Sequence, residues 1–496
     1  MPNYWTSSTS WSSISTDIFA EPPRDKKSRM VGLNLPYVEF TNRMLHAKPA
    51  GRFENIRTPW RSMTLGGGYD DRPIVTTDMG LPDFLAEGQI AECLIPVDRG
   101  QHYSYTAIGP GFLEFVGAED YRDKSTFVAR SDWVRVRVSS SSFGKQPLIK
   151  LTVSRTHGNK PGYEFTKETM NELAPFGVVR MVGPGRINEV TPTIWQQRTW
   201  PTTISQTTDD YSGIAFEHMR DIASLSGAFM WWNIPYQVND KFVEEFGRFL
   251  QKTQRECYVE YSNENWKFGL PQRGHCERRA MELGISLVTD PQAAFKYSVR
   301  RSAQIMKIIG RVFPHVISVV TVPFWDDVAL KHLLNSPDLT AHKAIGFAPV
   351  FTLRFDRDQT LLGTMLGIYD KSGVQAASDW FLDQLEKVEL PAVIQRIRDI
   401  CDAIRTSGTA KHPMAYNAGF EFPTIHGFQL DRRITYLTQH VMMNPRLGRL
   451  LARLLDVWKT ESGVMPILLS GIESVTFPRD YSVQRNSVQE WINKNV

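Results

Sequence analysis

The sequence predicts an α/β fold: a closed (β/α)8, or TIM, barrel with an additional antiparallel β-sandwich-like domain. Three observations predict it. Short apolar runs alternate with amphipathic helical patterns through the C-terminal two-thirds of the chain, the signature of a parallel sheet covered by helices. One more apolar run, MVGLNLPYV at 30–38, lies far upstream. Between the two, from about 60 to 160, short alternating runs are broken by Gly, Pro and Asp, as in an antiparallel β-domain.

Taken in order, the upstream run supplies the first barrel strand, with FTNRMLHA after it as a helix. The β-domain follows: IAECLIPV, HYSYTAIG, FLEFVGA, DWVRVRVSSSS and LIKLTVSRT, with LGGGYDDRP and IGPGF as turn clusters. FTKETMNELAPFG (165–177) is a helix leading into strand two, VVRMV (178–182). Strands three to eight are FMWWNIP (229–235), CYVEYS (257–262), VISVVTV (316–322), AIGFAPVF (344–351), PMAYN (413–417) and VMPILLS (464–470). DKFVEEFGRFLQ opens on Asp240 as a cap and places Phe242, Val243, Phe246, Phe249 and Leu250 on one face. AAFKYSVRRSAQIMKIIGRVF, AVIQRIRDICDAI and ITYLTQHVMM…LGRLLARLLDVW read as further helices. The domain plan is an N-terminal arm at 1–27, a first barrel strand and helix at 28–58, an inserted β-domain at 59–160 and the rest of the barrel at 161–496. The simpler alternative places a β-domain before a complete barrel.

Composition narrows the function classes. The 57 Lys and Arg against 53 Asp and Glu give a net charge of +4, with no long basic block, which argues against nucleic acid as a partner. No run approaches the ~18 apolar residues of a membrane span. The N-terminus lacks a basic start followed by an apolar core, so no secretory signal is expected, and the location is a virion or the cytoplasm. The arm is rich in Ser and Thr and carries Trp5, Trp11 and Phe19; it is either a disordered tail or an arm that docks another protein subunit. The four cysteines have no CxxC spacing, His275-Cys276-Glu277 are adjacent residues that a helix would point apart, and LGGGYDD lacks the Lys of a phosphate loop. No metal and no cofactor is expected.

In such a barrel the chemistry sits at the C-terminal strand ends. Strand four ends in Asn263-Glu264 beside Trp266, within ECYVEYSNENW. At this point the chain resembles the clan A glycoside hydrolases, (β/α)8 enzymes whose strand four ends in Asn-Glu. YVEYSNENW is similar to the YVEYSNEVWN segment of a bacterial branch often described as cellulose-binding or hydrolase-like, and WWNIPYQVNDKFVEEF, IWQQRTWP and GLNLPYV are similar to segments of that branch as well. The resemblance implies Glu264 as acid/base, with a second Glu, the nucleophile, at the end of strand seven. There the sequence reads HPMAYNAGFEF: Tyr416 matches the branch's Tyr, and Asn417 stands at the nucleophile position. An amide is no nucleophile toward an anomeric carbon. Glu421 lies four residues on, roughly 13 Å along an extended chain; Asp326, Asp327 and Glu473 are the other carboxylates near strand ends.

The expected ligand is a poly- or oligosaccharide. Asn263 would bond a sugar hydroxyl. Trp195, Trp200, Trp231, Trp232 and Trp266, five of the 13 tryptophans, offer flat faces to sugar rings, with helix packing as their alternative use. Arg180 and Arg198 would pair with Glu264 or bind an acidic sugar, or else form structural ion pairs. The first reading is therefore a glycan-recognising protein of hydrolase ancestry with a degraded site, such as a phage or virus tail or surface component. The alternatives are an active glycoside hydrolase and a purely structural assembly protein.

Overall fold

Eight parallel strands close on themselves. They are β1 Val31–Asn34, β2 Val178–Arg180, β3 Phe229–Ile234, β4 Cys257–Tyr261, β5 Val316–Thr321, β6 Ala344–Phe347, β7 His412–Phe420 and β8 Ile467–Leu469. Each pairs in parallel with the next, β6 with β7 and β8 back onto β1, so the sheet has no free edge. The computed structural model describes residues 29–495, except 36, 51–57, 78, 120–124, 141–145, 157–164, 190–191, 208–212, 253–255, 288, 356–357, 423–430, 464 and 471–481. The arm at 1–27 and Glu473 lie outside the described residues.

Period-two alternation sorts each strand between two cores. Val259, Tyr261, Trp232 and Ile234 face the helices and join the large core there. Val178, Trp231, Tyr258, Val319, Met414, Tyr416 and Leu468 fill the barrel interior. The packing of this interior depends on Gly32, which shares the inward phase of β1. A Cβ at Gly32 would stand 2.8 Å from the Val178 carbonyl oxygen, so only glycine lets β1 and β2 approach at that level.

The helices of the outer layer are α1 Lys167–Leu173, α2 Phe216–Ser226, α3 Asp240–Gln251, α4 Pro271–Glu282, α5 Ala293–Val312, α6 Asp327–Leu334, α7 Gln359–Gln384, α8 Leu390–Thr406, α9 Arg432–Met442, α10 Pro445–Ser462 and α11 Ser482–Asn495. Their ends follow local chemistry. Asn239, not Asp240, caps α3: its side chain accepts from the Phe242 N–H at 2.8 Å, which leaves Asp240 in the first turn. The long C-terminal pattern is two helices, because Asn444 caps a new start and Pro445 opens it. The segment after β1 forms only a short 3₁₀ turn, Arg43–His46, rather than the expected helix.

The antiparallel strands lie in the chain between β1 and β2. One sheet pairs Gln89–Pro96 with Trp133–Ser139, Arg61–Thr64 and Lys48–Pro49, and Trp133–Ser139 with Phe112–Val116. The other pairs Lys150–Arg155, His102–Ile108, Thr126–Ala129 and Ala118–Glu119. Their inward residues, among them Tyr103, Phe115 and Phe127, form a separate core with Trp60.

The sheet is irregular at β7. Ala415 aligns with Ile467 and Ala418 with Leu469, so β7 carries one extra residue opposite Leu468. Tyr416 faces the interior, yet Ala418 faces the helices, where strict alternation would turn it inward. The bulge resets the phase at Asn417. The end of β7 then runs on beyond the barrel, paired with Val350–Phe351, and delivers Glu421 past it.

Candidate functional site

The mouth of the barrel is organised by the turn that leaves β4. Ser262 and Glu264 both have positive φ, 57° and 43°, a conformation that costs a non-glycine residue about 1 kcal/mol or more. Surrounding bonds hold it. The Ser262 N–H reaches the Ile234 carbonyl at 2.7 Å, Gln272 Nε2 donates to the Asn263 carbonyl at 2.8 Å, Arg273 Nη1 to the Trp266 carbonyl at 2.8 Å and Asn265 Nδ2 to Ser298 Oγ at 2.7 Å. The result presents the Glu264 carboxylate to the interior side of β7. Tyr416 Oη donates to Glu264 Oε1 at 3.1 Å, and Lys267 Nζ pairs with Oε2 at 3.0 Å.

Beneath Glu264 lies a buried polar network centred on Arg180. Its Nε and Nη2 donate to Glu260 Oε2 at 3.2 and 3.0 Å, Nη2 also to Asn263 Oδ1 at 2.8 Å, and Nη1 to Asn34 Oδ1 at 3.2 Å and the Tyr416 carbonyl at 3.4 Å. One guanidinium from β2 thus ties β1, β4 and β7. Trp231 Nε1 and Asn233 Nδ2 add bonds to Glu260 Oε2 at 2.9 and 3.1 Å. Burial pushes the Glu260 carboxyl above its ordinary range, and the Arg180 charge pulls against it.

Asn417 is turned by the bulge toward the end of β8: Ser470 Oγ donates to its Oδ1 at 2.6 Å, and Asn34 Nδ2 donates to Ser470 Oγ at 3.0 Å. A bulge at a barrel rim re-aims a side chain in this way. Lys267, which the sequence reading passed over, pairs with Glu264 here. Its ammonium is pushed up by Glu264 above all and by Glu421 as well. Glu421 is exposed, just past the extension of β7.

The other expected residues divide clearly. Asn263, Arg180, Tyr416 and Trp231 converge under Glu264, but Trp231 is fully buried, stacked on Tyr258 with centroids 5.4 Å apart. Trp232 points into the helical layer against Phe216, Phe246 and Phe249. Trp195 packs on Phe242, and Arg198 lies over the Trp200 ring and forms a two-pronged pair with Glu217 at 2.8 and 2.6 Å. These last three belong to a structural cluster outside the barrel. Trp266 is half-buried against Phe295. Asp326 caps α6 and accepts from Gln292 Nε2 at 2.7 Å, while Asp327 pairs with Arg396 at 2.6 Å.

Among the described residues no group of three or more His, Cys, Asp and Glu side chains is arranged to hold a metal. His275 meets Tyr236 edge-on, Cys276 is buried, and Glu277 pairs with Arg273. No described helix is long and apolar enough to cross a membrane.

The chain is a (β/α)8 barrel with a β-rich extra domain. No family model matches it, and no curated protein does. Among solved structures it is similar to an α-L-arabinofuranosidase from Thermotoga maritima, at 11% identity over 62% of this chain and 57% of that one, with a TM-score of 0.35. It is similar to xylanase 10B from Thermotoga petrophila, at 8% identity over 66% and 89% of the two chains and a TM-score of 0.35. A third is a family 44 xyloglucanase from Paenibacillus polymyxa, at 10% identity over 65% and 72%, TM-score 0.36. The match thus spans little more than half of the arabinofuranosidase.

Proposed function

We propose that the protein hydrolyses glycosidic bonds of a poly- or oligosaccharide at the barrel mouth, with Glu264 as proton donor and Glu421 as the second carboxylate. The observation that carries this reading is the pairing of Glu264 with Lys267 at 3.0 Å at the end of strand four; the Glu421 charge acts on the same ammonium, which supports Glu421 as the second carboxylate. The resemblance of the YVEYSNENW segment supports the role of Glu264. Tyr416 fixes the carboxyl plane, and Lys267 is the group that an incoming sugar displaces. Glu421 stands beyond the position at which the resemblance places a nucleophile. On this reading the two carboxylates work at the wider spacing of inverting enzymes, about 6.5–9.5 Å, which leaves room for a water. Glu421 then takes a proton from that water as its oxygen bonds the anomeric carbon. The bond to the leaving oxygen breaks, and Glu264 protonates that oxygen.

Glu421→Gln is expected to lower the release of reducing ends from soluble polysaccharide by about 10²–10⁴-fold, the usual contribution of a general base. Wild-type rates in that variant would remove Glu421 from the mechanism.

A second reading has its own observation. Asn417, at the nucleophile position, is an amide held by Ser470. On this reading the mouth recognises glycan without turnover. Asn417→Glu is then expected to gain slow hydrolysis that the wild type lacks, and its failure to do so with the fold intact would count against this reading.

A further inference from the structure

The buried tryptophans cannot stack on a sugar, which raises the question of which rings at the mouth can. Among the described residues, two exposed rings follow strands four and five, on adjacent loops. Phe268 follows Glu264 by four residues and is 83% exposed; Trp325 follows β5 and is 50% exposed. The loops share one end of the barrel. Gln292, at the start of α5, donates to Asp326 beside Trp325, and Trp266 packs on Phe295 of α5, which in turn meets His332 of α6 at 6.2 Å.

Both rings are braced from behind. The Arg273 guanidinium lies 3.4 Å from the Phe268 centroid and is itself fixed by Glu277 Oε1 at 2.7 Å and the Trp266 carbonyl at 2.8 Å. That leaves the other face of Phe268 open. Trp325 meets Phe324 edge-on at 4.8 Å, and Phe324 is stacked on Phe347 of β6 at 5.8 Å. Asp326 fixes the chain at Trp325 by capping α6 through the Ala329 N–H at 2.9 Å. An exposed ring held in one orientation gives up little entropy when it is covered.

The surroundings indicate what covers them. Lys267 precedes Phe268 and Asp326 and Asp327 follow Trp325 in the chain, Arg273 lies against the Phe268 ring and Gln292 bonds Asp326, so apolar faces stand beside charged and amide groups. A protein interface core is depleted in charge, whereas a sugar ring offers an apolar face with hydroxyls around its edge. We propose that Phe268 and Trp325 form an aromatic subsite that holds successive rings of an oligosaccharide leading away from Glu264. This rests on the glycan reading above and adds the residues that grip the chain.

The test measures retardation of the full-length protein in native gels containing xylan, xyloglucan, carboxymethyl cellulose or polygalacturonate, in the Glu264→Gln background so that no substrate is consumed. Trp325→Ala is expected to weaken binding to the retarding polysaccharide at least about tenfold, the scale of losing an aromatic anchor, and Phe268→Ala to weaken it in the same direction. Trp133→Ala, which removes an exposed indole of the β-domain, is expected to leave it unchanged. Retardation that survives both Trp325→Ala and Phe268→Ala would overturn the subsite while leaving the glycan reading intact. No retardation by any of the four polymers would remove the glycan reading and the subsite with it. Loss of self-association in the Trp325→Ala variant by sedimentation velocity, with retardation unchanged, would assign the rings to a contact between copies instead.

Discussion

Arg180→Ala is expected to destabilise the protein by about 3–5 kcal/mol, the cost of leaving one member of a buried ion pair unpaired. Arg180 and Glu260 are both almost inaccessible, at 3% and 1% side-chain exposure, so water cannot replace the lost guanidinium. The same substitution removes the bonds that tie Asn34, Asn263 and the Tyr416 carbonyl across the barrel. The loss is expected to be smaller at low pH, where Glu260 can take up a proton and become neutral. A urea midpoint at pH 7 and again near pH 5 measures both effects. The double replacement Arg180→Met with Glu260→Met is expected to recover part of the loss, because no charge is then left buried without a partner while the buried Trp231 N–H still loses its acceptor. Equal midpoints for wild type and Arg180→Ala would show that the network contributes nothing.

Acid is expected to destabilise the protein steeply between about pH 6.5 and 4 through two buried histidines. Burial holds His46 down to about 3 and His342 to about 4, from 6.5, with the Arg43 cation also lowering His46. The bonding explains why both stay neutral. His46 Nε2 accepts from the Phe40 N–H at 2.8 Å, and its Nδ1 faces Tyr37 Oη and Thr207 Oγ1 at 2.9 and 2.7 Å. His342 Nδ1 donates to the Asp338 carbonyl at 3.2 Å, and its Nε2 accepts from Ser302 Oγ at 2.8 Å. With folded-state values depressed, the unfolded chain binds more protons below pH 6.5, so stability falls as pH falls. Each ring contributes about 1.4 kcal/mol per pH unit until the pH passes its folded value. His342→Gln is expected to flatten the slope by that amount, even if it lowers stability at pH 7. An unchanged slope in chemical denaturation from pH 7 to 4.5 would show that His342 is not the source.

The barrel was legible because its signals are dense and redundant. Each strand is a buried apolar run, and eight of them close on one another. Around the candidate site the sequence pointed to Glu264, where an abrupt Ser-Asn-Glu after CYVEY announces a strand end, and to Asn263, Arg180 and Tyr416, which the structure brings together there. The tryptophans misled because composition does not say which side of a strand a ring occupies. Trp231 and Trp232 are adjacent, one in the barrel and one among the helices, and neither faces the mouth. Trp325 was visible in PFWDD, but the two aspartates drew attention there, and both serve α6 and its neighbours. The placement of Glu421 past the barrel depends on the extended pairing of β7 with Val350–Phe351, a long-range contact that local sequence does not encode.

On the hydrolytic reading Glu264 at the barrel mouth acts chemically on a glycan. The most direct measurement compares wild type with Glu264→Gln for release of reducing ends across a panel of soluble polysaccharides at matched folding, checked by their urea midpoints. Hydrolysis of at least one polymer by the wild type and a fall of about 10²–10⁴-fold in the variant are expected. Hydrolysis that persists in Glu264→Gln, or no hydrolysis of any polymer by the folded wild type, would contradict the hydrolytic reading.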